Sequence, residues 1–231
     1  MGDKYYAFWE KRAKRKKTGQ NVGNLEDQPD LYIAKIEHEK NVIGEFLSLV
    51  KCKDTILDLG AGEGYWTRQL SEFGKKIVAV DFSESMLDIA ANNLRNISAT
   101  LQLIQCPVEQ FTSKEKFDLV YISGLLIYLN DNKLINLLEN LDTYTIAGAH
   151  LLLRDGTGIH GRYEINSKYS EALNENYSAL YRSREEYIRI LDEYGFEHVE
   201  DQDMFPDGHP LNKFEETKLR VYLFRKKGNI V

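Results

Sequence analysis

Cysteine is nearly absent from this chain of 231 residues; Cys52 and Cys106 are the only two. Two thiols make no disulfide framework, and the histidines have no partner at zinc-ligand spacing, so no metal site is expected. Proline is also scarce, at 29, 107, 206 and 210, and neither a low-complexity linker nor an internal repeat divides the sequence. No apolar run approaches the ~20 residues that span a bilayer. The longest, Leu119 to Leu129, is interrupted by Ser123 and Gly124. No apolar segment follows Met1, and the sixth position is Tyr rather than the Ser or Thr of a myristoylation signal. A soluble, cytoplasmic protein without a membrane partner is expected. A basic excess is missing as well. The net charge is −6, whereas a general grip on nucleic acid uses a basic domain, so no nucleic-acid partner is expected.

What is present is an ordinary apolar content of 42 %, enough for a sizeable core. Residues 3 to 17 read as a helix in which Tyr6, Phe8 and Trp9 lead into a basic run from Lys11 to Lys17. That run is either a solvated helix face or an attractor for an anionic substrate. A glycine-containing loop follows. A second helix from about Leu31 to Val50 puts Ile36, Ile43, Phe46, Leu47 and Val50 on one face. Residues 1–50 are expected to form a helical lid or appendage, and 51–231 the main domain.

From Thr55 onward strands alternate with helices. Strands are expected at 55–59, 76–81, 100–105, 117–123, 149–154, 196–200 and 219–225. Helices are expected at 64–73, 84–94 and 132–142, with another opened by Ser183 as a cap and Glu186 three residues later. The alternation implies an α/β, doubly wound, mostly parallel seven-stranded sheet, Rossmann-like. The last two strands have no helix between them, which makes an antiparallel hairpin at one edge.

The first strand runs directly into Asp58-Leu59-Gly60-Ala61-Gly62-Glu63-Gly64 and then into a helix. Glycine suits such a turn because a Cβ would block both the turn and a ligand's approach to the backbone. A carboxylate at position 58 repels a diphosphate, yet suits the cationic end of S-adenosylmethionine; the bland alternative is that Asp58 caps the loop. Asp81 stands 21 residues after Gly60, at the end of the second strand. There it can accept hydrogen bonds from both hydroxyls of a ribose, or cap the next helix, as Ser83 equally could.

Residues 55 to 154 resemble the class I S-adenosylmethionine-dependent methyltransferases. The resemblance rests on Ile56 to Gly64, on Val80-Asp81-Phe82-Ser83-Glu84-Ser85-Met86-Leu87, and on Phe117-Asp118-Leu119-Val120-Tyr121. It implies S-adenosylmethionine as cofactor, bound by Asp58, Gly60, Gly62, Gly64, Asp81, Phe82, Met86, Cys106, Val108 and Ser123. Phe82 and Met86 would pack near the adenine. The chain departs from the family at Cys106, where many members carry an acid for the adenine amino group. Pro107 has no N–H to give, and Glu109 is a possible substitute for the acid.

The methyl acceptor is expected at the ends of the fourth and fifth strands, under the N-terminal helices and against an insertion at about 156–184. Tyr6, Trp9, Tyr128, Arg154, Arg162, Tyr177 and Tyr181 are the candidate substrate-binding residues, with Arg182 as a further anion grip. His160, Asp155 and Tyr163 are the candidate catalytic groups. The alternative for the insertion is a surface helix with its tyrosines packed inward. The expected activity is methyl transfer to O or N of a small molecule such as a sugar, a sugar phosphate, or a carboxylate or amine metabolite. A peptide amine methyltransferase is the alternative, and a nicotinamide- or nucleotide-binding protein is a more distant one.

Overall fold

The computed structural model describes residues 9–11, 14, 29–170 and 175–228. Thr55–Leu59 (β1), Lys76–Asp81 (β2) and Phe117–Ser123 (β4) are almost wholly buried, because their near-continuous apolar sequences are covered on both faces. With Thr100–Gln105 (β3), Thr145–Gly158 (β5), Phe196–Asp203 (β8) and Thr217–Lys226 (β9), they form one sheet in the order β3-β2-β1-β4-β5-β9-β8. The first five strands run parallel, and β9 is antiparallel to both β5 and β8. The chain order reverses between β1 and β4, and the carboxyl ends of these two strands are where such sheets bind ligands.

Two apolar cores flank the sheet. One packs Leu134, Leu137, Leu138 and Leu141 of the helix Asp131–Tyr144, with Tyr187 and Leu191 of Arg184–Glu193, against the strands. The other is closed by Val42, Ile43, Phe46, Leu47 and Val50, four of them on the helix Pro29–Leu49 (α1). Each of these side chains contributes about 1.5–3 kcal/mol by leaving water. The apolar face read from the sequence is therefore the docked one. Glu39 lies on the same face and is fully buried.

Two further helices line the ligand end of the sheet. Tyr65–Leu70 (α2) follows the glycine turn, with Gly64 as its N-cap in the left-handed region at φ 79°. A Cβ at Gly64 would stand 2.7 Å from Leu94 Cδ1, so no other residue fits without displacing that side chain. Glu84–Asn93 (α3) is capped by Ser83, whose Oγ accepts from the Met86 N–H at 3.2 Å.

The insertion is not the surface helix given as its alternative but an antiparallel pair, Tyr163–Ser170 (β6) with Glu175–Tyr181 (β7), forming a second small sheet. Its tyrosines and Ile165 favour the extended backbone. The expected cap at Ser183 is present, with Oγ accepting from the Glu186 N–H at 3.2 Å. β5 runs four residues beyond its expected end at each side: β9 pairs with it as far as Gly158, and Thr145 pairs with Phe117 of β4. Among the described residues no helix is long and apolar enough to cross a membrane.

Candidate active site

A pocket opens at the carboxyl ends of β1, β2 and β4. Its walls include Gly60 and Gly62 from the turn, Asp81 at the end of β2 with Phe82 and Met86 after it, and Ser123 at the end of β4 with Gly124 and Leu125 after it. Pro107, Val108 and Glu109 form another side, with Tyr128, Leu129 and Lys133 beyond them, and Trp9 reaches in from the N-terminal segment. Gly60 and Gly62 hold φ of 78° and 54°, a backbone region that L side chains rarely adopt.

The hydrogen bonds of the turn decide which ligands it suits. The Gly60 and Ala61 N–H groups both donate to the Val80 carbonyl, at 2.8 and 3.1 Å, and Gly64 N–H donates to the Ala61 carbonyl at 3.0 Å. Gly62 N–H donates to Asp81 Oδ2 at 2.9 Å. These four donors point into the protein, so they do not form the N–H cradle that a diphosphate needs. Asp81 Oδ1 accepts from Ser83 N–H at 2.9 Å. The two bonds fix the carboxylate at the pocket wall, and its remaining lone pairs can meet a diol. Burial pushes the Asp81 carboxyl up, against the pull of these N–H groups.

Asp58 does not line the pocket. It is buried behind the turn, where Thr67 Oγ1 donates to its Oδ2 at 2.6 Å and ties β1 to α2. Desolvation raises its pKa to about 7, so near neutral pH it carries only part of a charge. Gly64 is likewise a packing position. Cys106 is half-buried, its N–H donating to the Asp81 carbonyl at 2.9 Å, while its neighbours Pro107, Val108 and Glu109 take the wall. Glu109 pairs with Lys133 Nζ at 2.5 Å. Lys133 had no signal in the sequence, since its place depends on the angle at which the helix Asp131–Tyr144 docks.

Among the acceptor candidates, Trp9 and Tyr128 meet edge to face at 5.4 Å over the pocket. Tyr6 lies outside the described residues. The insertion does not bring its candidates to the pocket wall, and its tyrosines and arginines are engaged elsewhere. His160 is exposed. Tyr163 packs on Tyr181 with ring centroids 6.2 Å apart, Tyr181 covers Gly156, and Tyr177 is half-buried on the same hairpin. Arg162 pairs with Asp131 at 2.5 Å and with Glu186 at 3.0 Å. Arg182, the further anion grip, is fully buried and donates to the carbonyls of Leu126 and Leu129 at 3.0 and 2.9 Å. It braces the turn that carries Tyr128. Asp155 is fully buried and accepts from the Ile127 and Gly156 N–H groups at 3.2 and 2.9 Å. Burial raises its pKa to about 7. Arg154 lies behind Ser123, donating to Ser123 Oγ at 3.1 Å and to Glu39 Oε1 at 2.6 Å.

Comparison with known proteins agrees with this geometry. The family model described as a methyltransferase domain matches residues 56–145. Phosphoethanolamine N-methyltransferase 3 of Arabidopsis thaliana is 26 % identical over 152 residues, which are 64 % of this chain and 29 % of that protein. This chain thus spans under a third of that relative's length. Malonyl-[acyl-carrier protein] O-methyltransferase of Bacillus cereus is 28 % identical over 187 residues, 75 % of this chain and 64 % of that protein. An S-adenosylmethionine-dependent methyltransferase of Leishmania major shares the fold with a TM-score of 0.71 at 18 % identity, covering 95 % of this chain and 82 % of that one. The 1,6-didemethyltoxoflavin-N1-methyltransferase of Burkholderia thailandensis has a TM-score of 0.68 at 17 % identity, covering 97 % and 90 %. The strand order and the glycine turn thus give the chain the fold of S-adenosylmethionine-dependent methyltransferases, and residues 56–145 within it match a methyltransferase domain.

Proposed function

We propose that this chain binds S-adenosylmethionine in the pocket and transfers its methyl group to O or N of a small-molecule acceptor. The observation that carries the cofactor assignment is the inward direction of the turn's N–H groups. Gly60, Ala61, Gly62 and Gly64 all donate within the protein, and two buried acids, Asp58 and Asp81, flank them. Such a turn disfavours a diphosphate and tolerates a cation.

The other walls fit the same ligand. Asp81 offers acceptor lone pairs to the ribose hydroxyls. Phe82, Met86, Val108 and Leu129 give flat apolar contact to the adenine. Glu109 and Lys133 supply an acceptor and a donor beside them. When bound, S-adenosylmethionine supplies an electrophilic methyl on a cationic sulfur. The chain's task is then to align an acceptor lone pair with that methyl and to keep water out. Trp9 on Tyr128 covers the pocket, and Glu10 accepts from the Ser83 and Ser85 hydroxyls at 2.5 Å each, tying the N-terminal segment to the start of α3. Arg182 holds the turn beneath Tyr128 in place. Alignment and water exclusion can supply much of the rate, so a strong base is not required of the residues at the wall.

Incubation with methyl-labelled cofactor tests the reading, using a metabolite pool and a basic-peptide pool in parallel. Label in metabolites is expected. Label confined to peptides would replace the small-molecule reading with a peptide one, and label in neither, with the protein folded, would count against transfer.

A further inference from the structure

Behind Ser123, between α1, α2 and the end of β5, lies a recess that the cofactor does not need. Tyr32, Lys35 and Glu39 face it from α1, Tyr65 and Trp66 from α2, and Arg154 from β5. Tyr65 meets Trp66 edge to face at 5.2 Å, and the Arg154 guanidinium sits 5.9 Å from the Trp66 ring centroid. Tyr32, Lys35, Tyr65 and Trp66 are only half-buried, so the recess opens to solvent. Its inner end abuts the cofactor pocket: Ser123 accepts from Arg154 and also lines that pocket.

The charges do not balance. Glu39 Oε1 stands 2.6 Å from Arg154 and 3.8 Å from Lys35, so one carboxylate serves two cations. Glu39 is fully buried, yet among the described residues its Oε2 has no hydrogen-bond partner, and neither has Arg154 Nε. A buried acceptor and donor left unmatched each carry a desolvation cost that no bond offsets. Burial above all, with Arg154 adding to it, holds the Lys35 ammonium below its usual range. Two cations contact this one carboxylate, while from further away Lys213 acts on Lys35, Asp155 on Arg154 and Glu63 on Tyr32; at the point of contact an ammonium ligand is repelled and a neutral one leaves the second cation unpaired. An anion pairs with it.

We infer that this recess holds the acid group, carboxylate or phosphate, of the methyl acceptor against Lys35 and Arg154, with Glu39 Oε2 accepting from a hydroxyl of the same molecule. The inference rests on the methyl-transfer reading and narrows it to small acids. Glu39 and Arg154 also pin α1 to the sheet, so variants there risk the fold. The Lys35 side chain is 21 % exposed and dispensable for that pin, which makes it the position to test.

The test measures S-adenosylhomocysteine affinity, melting temperature and labelled-methyl transfer for the intact chain, Lys35→Met and Lys35→Arg. Acceptor pools are sorted into acidic, neutral and cationic compounds, and inorganic phosphate and succinate serve as competing probes. Acidic acceptors are expected to take the label. Lys35→Met should raise their KM about tenfold with kcat, melting temperature and S-adenosylhomocysteine affinity unchanged, and Lys35→Arg should restore it. Competition by phosphate alone identifies a phosphate, and competition by succinate alone a carboxylate. Label only in neutral or cationic acceptors, or an unchanged KM in Lys35→Met, overturns the inference while methyl transfer stands. Loss of S-adenosylhomocysteine affinity in Lys35→Met assigns the recess to the cofactor instead. No binding of S-adenosylhomocysteine by the intact chain overturns both readings.

Discussion

Replacing Asp81 with alanine removes the one group assigned to both the ribose and the turn. Its carboxylate accepts from Gly62 N–H and Ser83 N–H, each at 2.9 Å, and it is 7 % exposed at the pocket wall. The ribose bonds lost are worth about 1–3 kcal/mol, which weakens S-adenosylhomocysteine binding roughly 5- to 150-fold. Freeing the Gly62 N–H also loosens the turn, so the loss of affinity alone does not isolate the ribose. A 2′,3′-dideoxy analogue separates the two effects. Calorimetry should find that the analogue binds the intact chain more weakly than S-adenosylhomocysteine does, while Asp81→Ala binds the two alike. If the analogue loses the same affinity in both proteins, or if a folded Asp81→Ala binds as well as the intact chain, the ribose does not sit on Asp81.

Other substitutions and pH changes follow from the same structure. Gly60→Ala places a Cβ 3.2 Å from the Leu125 side chain at a φ of 78°; it should cost about 1–2 kcal/mol, read as a melting temperature lower by several degrees, and unchanged melting would show that the turn is not held in this form. Arg182→Met strips the Leu126 and Leu129 carbonyls of a buried donor, so it should lower stability by about 1–3 kcal/mol and weaken S-adenosylhomocysteine binding, whereas Arg162→Met, a half-exposed pair, should cost under about 1 kcal/mol; equal effects would contradict the brace. Asp58 and Asp155 have pKa values near 7 in the fold against an ordinary 3.8. The folded chain thus keeps protons that the unfolded chain has released, and stability should fall as pH rises from about 4 to 7. Asp201, held at about 2 by Arg184 and Arg220, acts in the opposite sense, but only as pH falls below the ordinary value. Urea titrations at about pH 5 and pH 8 check the slope. Asp58→Asn should flatten it, and stability that rises across the window would show these carboxyls to be ionised.

The glycine turn and the pocket beside it were legible because their signals are local. Strand ends, positive-φ glycines and the acid after β2 lie within a few residues of one another, and the turn's context selects glycine. Asp58 was legible as part of the motif, but its depth was not, since that depends on Thr67 closing over it. The acceptor side depends on contacts between distant segments. Arg162 and Arg182 read as anion grips in a tyrosine-rich stretch, yet Asp131 and the carbonyls of the 126–129 turn reach them first. The hairpin itself escaped notice because its apolar residues are interspersed with charges and its register shifts between Ile165 and Lys168. Glu39 did leave a trace: a carboxylate on the face defined by Ile36, Ile43 and Phe46 demands a buried partner. That partner, Arg154, lies 115 residues away, a distance that helical periodicity does not bridge.

The central claim is that residues 58–64 form a seat for a sulfonium nucleoside and reject a diphosphate. Titrating the chain separately with S-adenosylmethionine and with NAD measures this directly. Heat of binding with the first and none with the second is the predicted result. Saturable binding of NAD with no response to S-adenosylmethionine would contradict it.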